Sequence, residues 1–226
     1  MRGGFFYQIA KSGAICHFLC IFAPPKLKWL ATKHPIVAPF NFLPLHNDPK
    51  PWQVLNRRYT LDRSPYMVLR EDTVQLANGA VIPDYFVFEY PDWVSVLAVT
   101  QQGQLVLIRQ YRHGIAKVYY ELVAGVADAG ASLLENAQRE LLEETGYGGG
   151  EWSLWTRLSA NPATHTNTAH IFLATGVEKI AHQDLETTEE INVCLLSPEE
   201  VRHLLQNGEV YQALHAAALW KYFAER

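Results

Sequence analysis

From Trp52 onward, apolar and polar residues alternate in short runs separated by turn signals. Residues 66–76 and 80–90 carry the two-residue period of half-buried strands. Asn78-Gly79 between them is a hairpin signal, because both central residues of a type I′ turn need positive φ. Pro83 has no N–H to give to a ladder, which directs its strand to a sheet edge or a bulge. The spacing predicts further strands over 94–100, 104–112, 118–123, 152–158, 169–175 and 191–196. Helices are interspersed among them. Ser132-Leu-Leu-Glu135 and Ser197-Pro-Glu-Glu200 are capping boxes, in which the Ser oxygen accepts an orphan N–H and the Glu reaches back. The first helix runs to about Thr145 and stops at Gly146, the second ends near Asn207-Gly208, and a third is predicted over 209–223. Strands dominate, so the class is α+β or a mixed α/β sandwich.

Composition narrows the class without naming a function. The 226 residues, 49% hydrophobic and 19% charged, suffice for one domain or two small ones with a real core. They exclude a collagen-like, disulfide-framework or wholly disordered chain. No apolar run reaches the roughly 18 residues of a membrane-spanning helix, so a soluble protein without a membrane partner is expected. A net charge of −4 argues against nucleic acid as a partner. Cys16, Cys20 and Cys194 cannot all pair, which points to a reducing compartment, the cytoplasm.

Charge is unevenly spread. Residues 1–50 hold six Lys or Arg and one acid, against thirteen bases and twenty-two acids in the remainder. Seven prolines fall between Pro24 and Pro51, and no helix or strand period accompanies them. This stretch reads as a poorly ordered or spurious leader, with a signal or transit peptide as the second reading. Cys16-His17-x2-Cys20 lacks the second ligand pair that a structural metal site needs. The expected organisation is therefore a leader over 1–50, an N-terminal β subdomain over 51–92 and a larger domain over 93–226.

The first capped helix carries the candidate chemistry. Glu140, Glu143 and Glu144 stand at i, i+3 and i+4, which places three like charges on one face. Near a helix C-terminus they also oppose the macrodipole. A divalent cation relieves that repulsion, and hard Mg²⁺ prefers carboxylate oxygens. A solvated acidic face with Arg139 as counter-ion is the competing reading. Leu134, Ala137 and Leu141 are expected to face the core.

The run Gly125-x5-Ala131-x7-Arg139-Glu140-Leu141-x-Glu143-Glu144-x-Gly146 resembles the Nudix box, a motif of fixed spacings. The departure is Ala131, where the family usually has a Glu that supports the Arg from the loop side. Leu107-Ile-Arg-Gln-Tyr-Arg112, Tyr120-Glu-Leu-Val-Ala-Gly125 and Glu189-Glu-Ile-Asn-Val193 look like the ADP-ribose pyrophosphatase branch. The resemblance covers about residues 52–223. It implies a Nudix α/β/α sandwich, a mixed sheet between helices, with a small N-terminal antiparallel β subdomain that is exchanged in a homodimer.

The implied reaction is Mg²⁺-dependent hydrolysis, with Mn²⁺ as substitute, of a nucleoside diphosphate linked to a sugar: ADP-ribose to AMP and ribose 5-phosphate. The resemblance assigns metal binding to Glu140, Glu143, Glu144 and the carbonyl of Ala124, and catalysis to Glu143, Glu144 and Arg139. Arg109 is the candidate phosphate contact, Tyr66 and Tyr85 the candidate purine platforms, and His165 and Asn167 candidate substrate contacts. The family commonly places a general base in the loop after the box. Here residues 159–170 contain no acid, which leaves His165, Glu143 or Glu144 for that role. GDP-mannose, ADP-glucose, NADH and dinucleoside polyphosphates stay open as substrates, as does a non-catalytic nucleotide-sugar binding or sensing module.

Overall fold

The computed structural model describes residues 48–226. The leader expected over 1–50 lies, up to residue 47, outside the described residues. No helix among the described residues is long and apolar enough to cross a membrane.

Three strands form an N-terminal antiparallel sheet: β1 (Gln53–Arg63), β2 (Met67–Gln75) and β3 (Val81–Glu89), in the order β1-β2-β3. Asn78-Gly79 does lie in the connection of β2 to β3, but not as the central pair of a type I′ turn: the Gly79 N–H donates to the Leu76 carbonyl at 2.9 Å, and of the two only Gly79 takes positive φ, +87°. Pro83 sits on the edge strand β3, opposite a register irregularity between Asp72 and Val74, and its carbonyl accepts the Thr73 hydroxyl at 2.9 Å. Both expectations for this proline hold. Strand β1 was not separable from its surroundings by period, because nearly all of it is exposed on both faces.

The second sheet holds eight strands: β4 (Trp93–Thr100), β5 (Leu105–Arg112), β6 (Lys117–Glu121), β7 (Val123–Val126), β8 (Tyr147–Gly148), β9 (Glu151–Leu158), β10 (Ala169–Lys179) and β11 (Asn192–Leu196). Its main path is β11-β5-β4-β10-β8, and β10 runs parallel to β4 while the other pairs are antiparallel. Strands β4 and β5 pair only over Ala98–Val99 and then diverge. Into that opening run β6, on β5, and β7, on β4. The single strand expected over 118–123 is thus two. The break falls at Leu122, whose N–H goes to the His215 ring at 3.3 Å instead of to a ladder.

Helices cover both faces of this sheet: α1 (Leu133–Thr145) on one, α2 (Pro198–Gln206) and α3 (Ala213–Ala224) on the other. Ala137 and Leu141 of α1 pack with Val94, Val96 and Ile108. Val201, Leu205, Ala218 and Leu219 pack with Leu97, Leu105 and Leu107. Strand residues alternate between the two cores with the period of two. The result is the expected α/β/α sandwich around a mixed sheet. Leu133, not Leu134, joins Ala137 and Leu141 in the core; Leu134 is exposed, because the i, i+4, i+8 row faces the sheet. Helix α3 begins at Ala213, four residues later than expected, where the Gln212 side chain caps it by accepting the Leu214 N–H.

Candidate functional site

Helix α1 is fixed at both ends. At its start both halves of the Ser132–Glu135 capping box form. Buried Asn136 ties down the preceding loop, donating to the carbonyls of Asp128 and Ser132 and accepting the Asp128 N–H. At its end Gly146 takes φ +70° as a left-handed cap. The chain beyond β10 folds back on that end. Lys179 Nζ donates to the Thr145 carbonyl, Ile180 and Ala181 donate to that of Gly146, and Asp184 N–H donates to that of Glu143.

Between this returning segment and the helix lies an acidic pocket of about 330 Å³. Glu140, Glu143 and Glu144 line one side, and Asp184, Glu186 and Glu189 line the other. The expected carboxylate face therefore meets a second set of carboxylates. Glu189 lies 45 residues downstream of Glu144 in sequence, and local spacing gave no signal of their meeting. The Glu189–Glu190 pair was legible only as the start of a strand. In the structure the strand starts at Asn192, leaving Glu189 in a turn over the box.

Arg139 organises the helix side. Its guanidinium bonds Glu143 at 3.0 Å, Glu140 at 3.0 Å and Asn136 Oδ1 at 3.1 Å. It also reaches Asp128 at 3.3 Å, so Asp128 supplies from the loop the support that Ala131 does not. Glu140 lies against the backbone of Gly125: a Cβ there would stand 2.2 Å from Glu140 Cδ. That close approach explains the glycine. Glu144 lies against the main chain at Ala124, and its Oε2 is buried without a partner among the described residues. Burial, then Glu140 and Glu189, push its carboxyl up to about 8. Burial also raises Glu140.

An orphaned carboxylate oxygen among like charges fits a hard divalent cation, which supplies the missing positive charge. Among the described residues no three of these side chains already converge into a formed ligand shell. Arg139 instead holds Glu140 and Glu143.

Beside the acidic pocket, lined by Gly125 of the box and by Ala124 just before it, is a cavity of about 430 Å³. Trp93, Tyr119, Tyr211 and Leu214 give it apolar walls, and Ser95, Arg112 and His215 give it polar groups. Arg112 is the arginine of this cavity: its Nε and Nη2 clasp both oxygens of buried Glu121.

The remaining candidates divide. Arg109 is not gathered with the glutamates. It lies on the β5 face shared with Leu107, its guanidinium 4.6 Å from the Tyr120 ring centre, because alternation sends odd positions of β5 towards α2 and α3. Tyr66 is exposed at the β1–β2 turn. Tyr85 has its hydroxyl on the Ala163 carbonyl and its ring edge-on to Trp52 at 5.5 Å. His165 sits 5.1 Å from the Tyr90 ring, where its loop bridges β3 at Phe88. Asn167 is buried with neither end of its amide partnered among the described residues. Through Thr164 and Thr166, whose main chains pair with that of Phe88, this loop is bonded to β3 of the N-terminal sheet.

Comparison with known proteins agrees with this architecture. Residues 89–215 match the NUDIX domain, and residues 52–88 match the nucleoside diphosphate sugar hydrolase N-terminal domain. The chain is 30% identical over 149 residues to a Bacillus subtilis protein named ADP-ribose pyrophosphatase, covering 66% of this chain and 80% of that one. A Mycobacterium tuberculosis protein of the same name is 29% identical over 163 residues, 71% of this chain and 78% of its own. Among solved structures, one titled as an ADP compounds hydrolase superposes with a TM-score of 0.67 at 22% identity, covering 77% of this chain and 93% of that one. With its NUDIX domain spanning more than half of its length, the chain belongs to the Nudix family.

Proposed function

We propose that this chain is a Nudix pyrophosphohydrolase that splits a nucleoside diphosphate linked to a sugar, with ADP-ribose giving AMP and ribose 5-phosphate. The observation that carries the reading is the acidic pocket in which the box glutamates face Glu189, set directly beside a cavity with aromatic walls and an arginine. The names of the bacterial relatives support the choice of ADP-ribose.

Glu140, Glu143, Glu144 and the Ala124 carbonyl are the residues that would hold Mg²⁺, with Mn²⁺ as substitute. When bound, the ion neutralises phosphate charge and acidifies water. Arg139 keeps Glu140 and Glu143 in one orientation. Glu189, without an arginine partner among the described residues and facing the pocket, is the general base: its carboxylate takes a proton from the attacking water. That water adds to one phosphorus, the bridging P–O bond breaks, and the leaving phosphate departs with its electron pair. Arg112 is the phosphate-side cation in place of Arg109. The rings of Trp52, Tyr66 and Tyr85 offer the flat surface for adenine.

The exposed apolar side chains of the N-terminal sheet, Val54, Leu55, Tyr59 and Phe86, support a homodimer formed through residues 51–92. The larger domain is then 93–226, and the protein acts in the cytoplasm. The test is a panel of ADP-ribose, ADP-glucose, GDP-mannose, NADH and diadenosine polyphosphates with Mg²⁺. The highest kcat/KM falls on ADP-ribose; a preference for dinucleoside polyphosphates would overturn the substrate assignment.

A further inference from the structure

The cavity beside the box has at its floor a buried histidine that the reaction does not use. His215 on α3 is 3% exposed. Its Nδ1 accepts the Leu122 main-chain N–H at 3.3 Å, and its Nε2 lies 3.2 Å from Ser95 Oγ. A ring nitrogen that accepts from a backbone N–H carries no proton of its own. The hydrogen of the neutral ring therefore sits on Nε2 and is donated to Ser95 Oγ. Burial, which holds the His215 pKa down to about 4, agrees with a neutral ring.

This arrangement fixes the direction of the serine. With its oxygen accepting from His215, Ser95 has one hydrogen left to donate, and the residue is 4% exposed and lines the cavity. Arg112 beside it has Nε and Nη2 on Glu121, whose two oxygens are thereby engaged. Among the described residues, Arg112 Nη1 makes no hydrogen bond. The cavity floor thus offers donors and no unengaged carboxylate oxygen. Such a floor selects a ligand rich in acceptor oxygens, as a sugar phosphate is and a purine is not.

We propose that the Ser95 hydroxyl, aimed by His215, is a specificity-determining donor that reads an acceptor oxygen on the sugar-phosphate half of the substrate. The identity of that half rests on the reaction proposed above; the direction of the donor does not. His215 is a positioning residue, acting only through Ser95.

The test is an NMR titration of ribose 5-phosphate and, separately, of AMP, in the presence of Mg²⁺. Neither product has a pyrophosphate to split, so the readout is independent of turnover. Ser95→Ala weakens ribose 5-phosphate about tenfold, the scale of one lost hydrogen bond, and changes AMP less than twofold. Ser95→Thr, which keeps the hydroxyl, restores the wild-type value. Equal weakening of both products, no change in either, or no binding of ribose 5-phosphate by the wild type overturns the proposal. A wild type that binds ribose 5-phosphate as expected yet leaves ADP-ribose intact sinks the proposed reaction alone.

Discussion

Lys179 Nζ lies 2.6 Å from the carbonyl oxygen of Thr145, at the end of the helix that carries the box glutamates. Three acids near a helix C-terminus oppose its dipole, and no basic residue of the helix's own last turn offsets them. The compensating cation arrives from β10, 34 residues away. Lys179→Met is therefore expected to destabilise the fold by about 1 kcal/mol, read as a Tm loss of roughly 2–4 °C. High salt narrows the difference.

Gly125 gives a sharper test of the site, because a Cβ there meets the Glu140 carboxylate head-on. Gly125→Ala displaces Glu140 and lowers kcat by about a hundredfold, the scale of losing one well-placed charged group. Far-UV circular dichroism is unchanged, since the neighbours that must move are side-chain atoms.

The acid-free loop over 159–170 and the acidic turn over 184–189 show where sequence reading stops. Most of the strands, the three helices, both capping boxes and the carboxylate face were legible, because each is a local pattern of period, cap and spacing; β1, exposed along nearly its whole length, and the break between β6 and β7 were not. The meeting of Glu189 with Glu144 was not, since the return of β10 onto the end of α1 is a tertiary event. Arg109 and Arg112 were equally cationic in sequence. Alternation along β5 puts the two on opposite faces, but only the divergence of β4 from β5 opens the cavity that Arg112 lines.

Gln183 sits at the start of the acidic turn, its amide donating to the Glu144 carbonyl at 2.7 Å and to that of Ile191 at 3.2 Å. One NH₂ group thus ties both ends of the turn to the box helix. Gln183→Ala is expected to lower kcat about tenfold with little change in KM, and Gln183→Glu, which cannot donate, to lower it at least as far. On a Glu189→Gln background the further loss from Gln183→Ala shrinks to less than about twofold, as for two residues acting as a unit.

Acid–base behaviour follows from two buried groups. The Glu144 carboxyl, raised to about 8, makes the folded metal-free protein bind more protons than the unfolded chain, so this group's stability contribution falls as pH rises from about 4.5 to about 8. His215, lowered to about 4, acts oppositely: its contribution is present above pH 6.5 and is lost as pH falls towards 4. Between pH 6.5 and 8 the His215 contribution no longer changes, while that of Glu144 still falls. Denaturation midpoints measured in EDTA should decline over that window, and Glu144→Gln should remove the decline.

Product analysis of ADP-ribose incubated with Mg²⁺, for the wild type beside Glu144→Gln and Glu189→Gln, bears most directly on the acidic pocket as a reaction centre. AMP and ribose 5-phosphate are expected in equal amounts from the wild type. Each substitution should reduce the rate by about 10²–10⁴, the usual contribution of a positioned acid or base, while the fold persists. Undiminished turnover in both variants would contradict the account, as would a wild type that leaves ADP-ribose intact.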